Sequence, residues 1–302
     1  MSSSIVEGGC IVIRPERRHY KAGDKIGFTL MSDPHIGARD NDYELIQHEL
    51  DNARRNGDRV LINGDVFDMI LPGDRKRFSP DVLHPSLQGR RDVLTAAVEM
   101  GAKILAPYAD LIDMIGCGNH ETAVEKYHSS DPVMMPIDKL YAALPKNSKH
   151  TIHYGGYMGF VDYRFSRSKV EDRIGSTRRF VLFYWHGGGA GAPVTKGMID
   201  FHRLQWVDAD CIWMGHKHNR FTAHIRHMEC PRSGDAPVLK DIRQIMTGSY
   251  FNTYNGQSQK SIRDRGRLSN YAADAACAPQ GKGGARVLLS LSADSYDVKV
   301  QQ

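Results

Sequence analysis

Cys211-Ile212-Trp213-Met214-Gly215-His216-Lys217-His218 decides how this chain is read. An apolar run of strand length delivers two histidines two residues apart. If the backbone stays extended, both side chains point to one side, because successive strand side chains alternate. They become a ligand pair only if partners lie elsewhere. Four other stretches share the pattern of an apolar run ending in Asp, Asn or His. Residues 26–32 lead into Asp33-Pro34-His35, and 59–63 into Gly64-Asp65-Val66-Phe67-Asp68. Residues 111–115 lead into Gly116-Cys117-Gly118-Asn119-His120-Glu121, and 180–185 into His186.

The segments between these runs have helical spacing. Tyr43, Ile46, Leu50 and Ala53 share one helix face, with Asp40 or Asn41 as the cap and Asn56-Gly57 as the stop. Residues 92–108 are a second helix, and residues 122–145 one or two more, with Asp131-Pro132 capping the last. Strand, helix, strand, helix, strand, with each strand ending in candidate ligands, is the arrangement of an α/β sheet whose site lies beyond the strand ends. Residues 149–166, with Tyr154-Gly155-Gly156-Tyr157, suggest a hairpin. A helix is expected over 196–206. Strands at 222–228, 242–246, 287–291 and 296–300, with no long helix between them, suggest an antiparallel second sheet packed face to face on the first.

Residues 1–25 read as an irregular N-terminal arm with one short edge strand at 10–14, and 26–302 as a single domain. Residues 251–284 form a loop insertion rich in Asn, Gln, Ser, Gly and Arg. A hydrophobic fraction of 41% over 302 residues supports a sizeable core. The net charge of +5 favours anionic partners such as phosphate esters or nucleic acid without establishing either. Five scattered cysteines without C-x-x-C spacing indicate neither a disulfide framework nor a thiolate zinc site, and point to a reducing cytoplasm. No leader pattern or membrane-length apolar run is present, so a soluble protein without membrane partners is expected.

Collected, the strand-end donors are Asp33, His35, Asp65, Asn119, His186, His216 and His218, all oxygen or nitrogen. Each fragment alone is ordinarily a turn or a helix cap, since Asp, Asn and Gly favour such positions. Five in order, each after an apolar run, are hard to reconcile with independent turns. The set suits two divalent ions such as manganese, iron, zinc or cobalt, with Asp65 the natural bridging carboxylate.

These five stretches resemble the motifs of the calcineurin-like metallophosphoesterase superfamily over about residues 26–220. The resemblance implies a four-layer α/β/β/α sandwich of two mixed β-sheets flanked by helices, around a dinuclear metal centre, manganese being the expected metal. One ion would be held by Asp33, His35, Asp65 and His218, the other by Asp65, Asn119, His186 and His216. A metal-bound hydroxide would attack phosphorus, which fits the need to lower a water's pKa and offset phosphoryl charge. His120 would act as general acid or as a donor to a phosphate oxygen, with Asp68 orienting it.

Departures from the pattern narrow the substrate. The superfamily's phosphoprotein phosphatases carry an arginine after the second aspartate of Gly-Asp-x-x-Asp, where this chain has Met69. Gly-Asp-Val-Phe-Asp is similar to the version in the superfamily's DNA-repair nucleases, yet this chain has little room for their capping domain. The glycine run 187–191 lacks a following Lys-Ser or Lys-Thr, so it is read as close backbone approach to the site and not as a P-loop. Lys260, Arg263, Arg265 and Arg267 are either solvated surface or a phosphate-tracking rim. The expected function is a phosphodiesterase acting on nucleic acid or nucleotides. The alternatives are a phosphomonoesterase and a non-catalytic binding scaffold. The oligomeric state is not legible.

Overall fold

The computed structural model describes residues 6–7, 10–71, 82–128, 130–167, 177–189, 195, 197–230, 236–252, 281–293 and 295–302. Most of the expected insertion, including Lys260, Arg263, Arg265 and Arg267, lies outside the described residues. So do Ala190 and Gly191 of the glycine run.

The N-terminal stretch carries three short strands where the sequence suggested one: Val6–Glu7 (β1), Cys10–Ile13 (β2) and Arg18–Tyr20 (β3). Lys25–Met31 (β4), Tyr43–Asn56 (α1), Arg59–Ile62 (β5), Val93–Leu105 (α2) and Ile112–Ile115 (β6) follow. Asn119–His128 (α3) and Met134–Ala143 (α4) lead to His153–Tyr154 (β7), Met158–Arg167 (β8) and Thr177–Trp185 (β9). Met198–Arg203 (α5), Cys211–Met214 (β10), Phe221–Glu229 (β11), Val238–Met246 (β12), Ala285–Leu291 (β13) and Tyr296–Gln301 (β14) complete the order.

The strands form two mixed sheets. One runs β14-β13-β4-β5-β6-β7; the other runs β1-β2-β8-β9-β10-β12-β11, with β3 also on β8. Strands β4, β5 and β6 are parallel neighbours, and so are β9 and β10, so each set presents its carboxyl ends together. Apolar residues on both faces bury each sheet twice over, as parallel strands require. Phe28, Leu30 and Leu61 of the first sheet pack against Tyr163, Phe180, Leu182 and Trp213 of the second. From the same strands Met31, Val60 and Ile62 face the other way, onto Ile46 and Leu50 of α1, Val98 of α2 and Ile137 of α4. Beyond the second sheet, Phe183, Ile212 and Met246 meet Phe201 of α5. The layers are therefore α/β/β/α.

Three expectations are corrected. Residues 149–166 are not a hairpin: β7 pairs with β6 in one sheet and β8 with β9 in the other, and Gly155-Gly156 carries the chain between them. Gly156 makes the crossing at φ 57°, in the left-handed region that favours glycine. The second half makes no separate antiparallel sheet. Strand β10 lies parallel between β9 and β12, while β13 returns to pair with β4. Finally, α1 is capped by Asp42, which accepts the Leu45 N–H at 3.0 Å, and Gly57 ends it at φ 67°. Asn41 is diverted to the ligand loop, its amide donating to the Pro34 and His35 carbonyls. No helix among the described residues is long and apolar enough to cross a membrane.

Candidate metal centre

Where β4 ends, its chain extension zips onto that of β5: Asp33 N–H donates to Gly64 O at 3.1 Å and His35 N–H to Asp65 O at 3.0 Å. Backbone pairing thus continues past the sheet while the side chains turn. Among the described residues six non-glycines have left-handed φ: Asp33 (54°), His35 (44°), Asp65 (45°), Met69 (47°), His216 (66°) and His218 (53°). Five of the six are candidate ligands. A left-handed L-residue costs roughly 1–2 kcal/mol, less for aspartate, whose short polar side chain bonds locally. Left-handed backbone concentrated on one kind of residue marks a functional site. It also corrects the reading of the opening stretch: the backbone at His216 and His218 is not extended, and the two imidazoles diverge.

Asp33, His35 and His218 bring one ligand atom each within 4.8 Å of one another, and so do Asp65, His186 and His216. In the first group His35 Nε2 is 3.2 Å from His218 Nε2, and Asp33 Oδ1 is 3.4 Å from His218 Nε2. In the second, Asp65 Oδ2 is 3.2 Å from His186 Nε2. The groups touch through their carboxylates, with Asp65 Oδ2 at 4.0 Å from His35 Nε2 and Asp33 Oδ1 at 3.9 Å from His186 Nε2. A third group joins His35, Asp68 and His120.

The residues fit a pair of divalent cations. Asn119 Oδ1 is buried without a hydrogen bond, although buried polar atoms are ordinarily satisfied, and buried His186 Nε2 faces the Asp65 carboxylate at 3.2 Å. His186 Nδ1 donates to the Asn63 carbonyl at 2.8 Å, leaving Nε2 as the lone-pair nitrogen. His216 Nε2 donates to Gly189 O at 3.0 Å, leaving Nδ1 for the same purpose. The electrostatics call for positive charge. Burial disfavours a charged His186, yet the carboxylates of Asp65 and Asp33 outweigh it and push the imidazole up to about 10. Burial likewise opposes ionisation of Asp65, and the surrounding histidines hold it well below the usual carboxylate range.

His120 lies beside this centre. Its main-chain N–H donates to Asp65 Oδ1 at 2.9 Å, and Nδ1 bonds the Asp68 carbonyl. The Asp68 carboxylate is farther from His120, 3.9 Å from Nδ1, than from His35 Nδ1 at 3.4 Å. The contact that orients His120 is therefore the backbone carbonyl of Asp68, while its carboxylate serves His35.

Several supporting residues went unassigned in the sequence. Glu121 is fully buried, and its carboxylate accepts three main-chain N–H groups: Asp65 at 2.9 Å, Gly118 at 2.8 Å and Phe67 at 3.0 Å. Burial, with Asp65 adding repulsion, pushes its carboxyl up to about 7. Its spacing from Gly118 is half of a capping box at the start of α3, a signal the sequence does carry. Glu121→Ala strands three buried donors at about 1–3 kcal/mol each. Urea unfolding should therefore show a loss of at least about 3 kcal/mol, whereas a change below about 1 kcal/mol would mean that the loops hold without it. Phe251 lies against His35 with ring centroids 4.5 Å apart, and Tyr157 Oη donates to Gly187 O at 2.7 Å.

No family model and no curated protein matches the chain. Among solved structures, the chain is similar to a conserved uncharacterized protein of Streptococcus pneumoniae described as a predicted phosphoesterase. The identity is 13%, over 92% of this chain and 90% of that one, with a TM-score of 0.28. A metallophosphoesterase from Sphaerobacter thermophilus is similar at 12% identity over 91% and 88% of the two chains, with a TM-score of 0.29. At such TM-scores the likeness carries no weight, and the functional reading rests on the site's own geometry.

Proposed function

We propose that this chain is a two-metal phosphoester hydrolase that acts on phosphodiesters, with nucleic acid or nucleotides as the substrate class. The observation that carries the proposal is the pair of three-residue donor groups meeting at the Asp65 and Asp33 carboxylates. Asp33, His35, Asp65 and His218 would hold one ion, and Asp65, Asn119, His186 and His216 the other. Divalent ions there supply a water of lowered pKa and neutralise charge on the phosphoryl oxygens. Manganese suits the oxygen and nitrogen donors and the absence of sulfur among them. With Nδ1 engaged by the Asp68 carbonyl, His120 has Nε2 to offer a leaving oxygen as general acid. Met69 in place of a phosphate-clamping arginine favours diesters over phosphoprotein monoesters. The cytoplasm belongs to the same proposal, supported by Cys10, Cys117, Cys211 and Cys230 all being free thiols.

The test is hydrolysis of a bis-aryl and a mono-aryl phosphate with manganese and after chelation, followed by single-stranded DNA, duplex DNA, RNA and cyclic nucleotides. Chelator-sensitive turnover that favours the diester is expected. A preference for the monoester would move the chain to phosphomonoesterases, and no chelator-sensitive turnover of any ester would make it a binding scaffold.

A further inference from the structure

Lys217 separates His216 from His218, yet its ammonium is not in solvent. The side chain is 5% exposed, and Nζ donates to the carbonyls of Gly188 and Gly189, the latter at 2.7 Å, with Asp200 Oδ2 of α5 at 3.6 Å. Two of the ammonium's three protons have carbonyl acceptors, and the Asp200 carboxylate is near enough to balance its charge. Burial of a lysine is costly unless it is paired in this way. The stem runs past Gly197, where a Cβ would stand 3.6 Å from Lys217 Cγ.

What the ammonium holds matters for the site. Gly189 O accepts from Lys217 Nζ and also from His216 Nε2 at 3.0 Å. The loop is glycine at 187, 188 and 189, with φ 114° at Gly187 and 68° at Gly189, so its own backbone preferences fix nothing. Some other group must set the direction of these carbonyls. Lys217 is the charged donor that reaches two of them.

We propose that Lys217 is a positioning residue for the second ion. Its ammonium pins the Gly188 and Gly189 carbonyls, and the Gly189 carbonyl then fixes His216 in the tautomer whose Nδ1 is free to ligate alongside Asp65 and His186. The inference rests on the two-metal reading and adds that one ion depends on this lysine and the other does not. Among the described residues the Lys217 ammonium bonds none of His35, Asp33 and His218, and the tie from Asp33 Oδ2 to His216 is to its main-chain N–H at 2.9 Å and not to its imidazole.

The test is manganese binding to the metal-free full chain by equilibrium dialysis, for wild type, Lys217→Met and Asp200→Asn, with thermal unfolding of each metal-free protein. Methionine keeps the apolar stem and removes the donors. Wild type is expected to take two ions. Lys217→Met should keep the first within about twofold and bind the second about 10–100-fold more weakly, the usual effect of losing a partner behind a ligating histidine. If Lys217→Met fails to fold, Asp200→Asn decides, with the second ion alone weakened by about tenfold. Unchanged binding of both ions, or equal weakening of both, in the folded variant overturns the role of Lys217 alone. A wild type that does not take two ions overturns the two-metal reading, and this inference with it.

Discussion

Asp65→Asn should abolish chelator-sensitive phosphoester hydrolysis, by about 10³-fold or more, which is about 4 kcal/mol of transition-state stabilisation. Asparagine is the informative replacement because it keeps the side chain's volume and tolerates the left-handed φ of 45° at this position. The charge and one acceptor oxygen are lost. That charge lies where both donor groups meet, with Asp65 Oδ2 within 3.2 Å of His186 and 4.0 Å of His35, so both ions should bind more weakly. Thermal unfolding gives an independent readout. Manganese at about 100 times its Kd should stabilise the wild type by about 2.7 kcal/mol per ion, raising Tm by several degrees, and should leave Asp65→Asn unmoved. A variant that keeps the manganese-dependent Tm shift and the turnover would remove Asp65 from the centre.

His120→Ala should lower kcat by about 10²–10⁴ while leaving manganese stoichiometry unchanged. The separation is built into the bonding. The tie from His120 to Asp65 is a main-chain N–H at 2.9 Å, which alanine retains, whereas the imidazole lost is the one held on the Asp68 carbonyl. A general acid matters most for a poor leaving group. The defect should therefore be large on an alkyl or nucleoside ester and small on a nitrophenyl ester. Loss of both metals in this variant, or an equal defect on both esters, would refute the acid role.

The α/β order of the first half and the positions of seven Asp, Asn and His residues past their strand ends are legible because apolar runs ending in such residues are a local pattern. Residues whose role depends on a distant main-chain partner are not. Glu121 was visible as part of Gly-Asn-His-Glu, but that it accepts from Asp65 and Phe67 depends on how β5 and β6 lie side by side. Lys217 carries no sequence signal of its own, because the acceptors that bury it belong to the glycine loop after β9 and to α5. The supposed hairpin at 149–166 failed for a related reason. Two glycines between apolar strands signal a sharp change of direction, and only the alternative partners, β6 and β9, show that the chain changes sheets there. Asn41, taken for a helix cap, had a second option in the Pro34 and His35 carbonyls.

The pairing of β4 with β13 bears on how the chain reaches this state. Strand β4 carries the chain into Asp33 and His35, yet one of its two edges is completed by residues 285–290, near the far end of the sequence. During vectorial synthesis the amino-terminal segments emerge first, so the β4 edge stays open until residues 285–290 have been made. Phe28 and Leu30, buried in the finished protein, belong to that waiting strand. Such long-range closure slows folding and leaves a sticky intermediate. The carboxyl end of β4, where Asp33 and His35 stand, thus gains its second strand neighbour only after residues 285–290 have emerged.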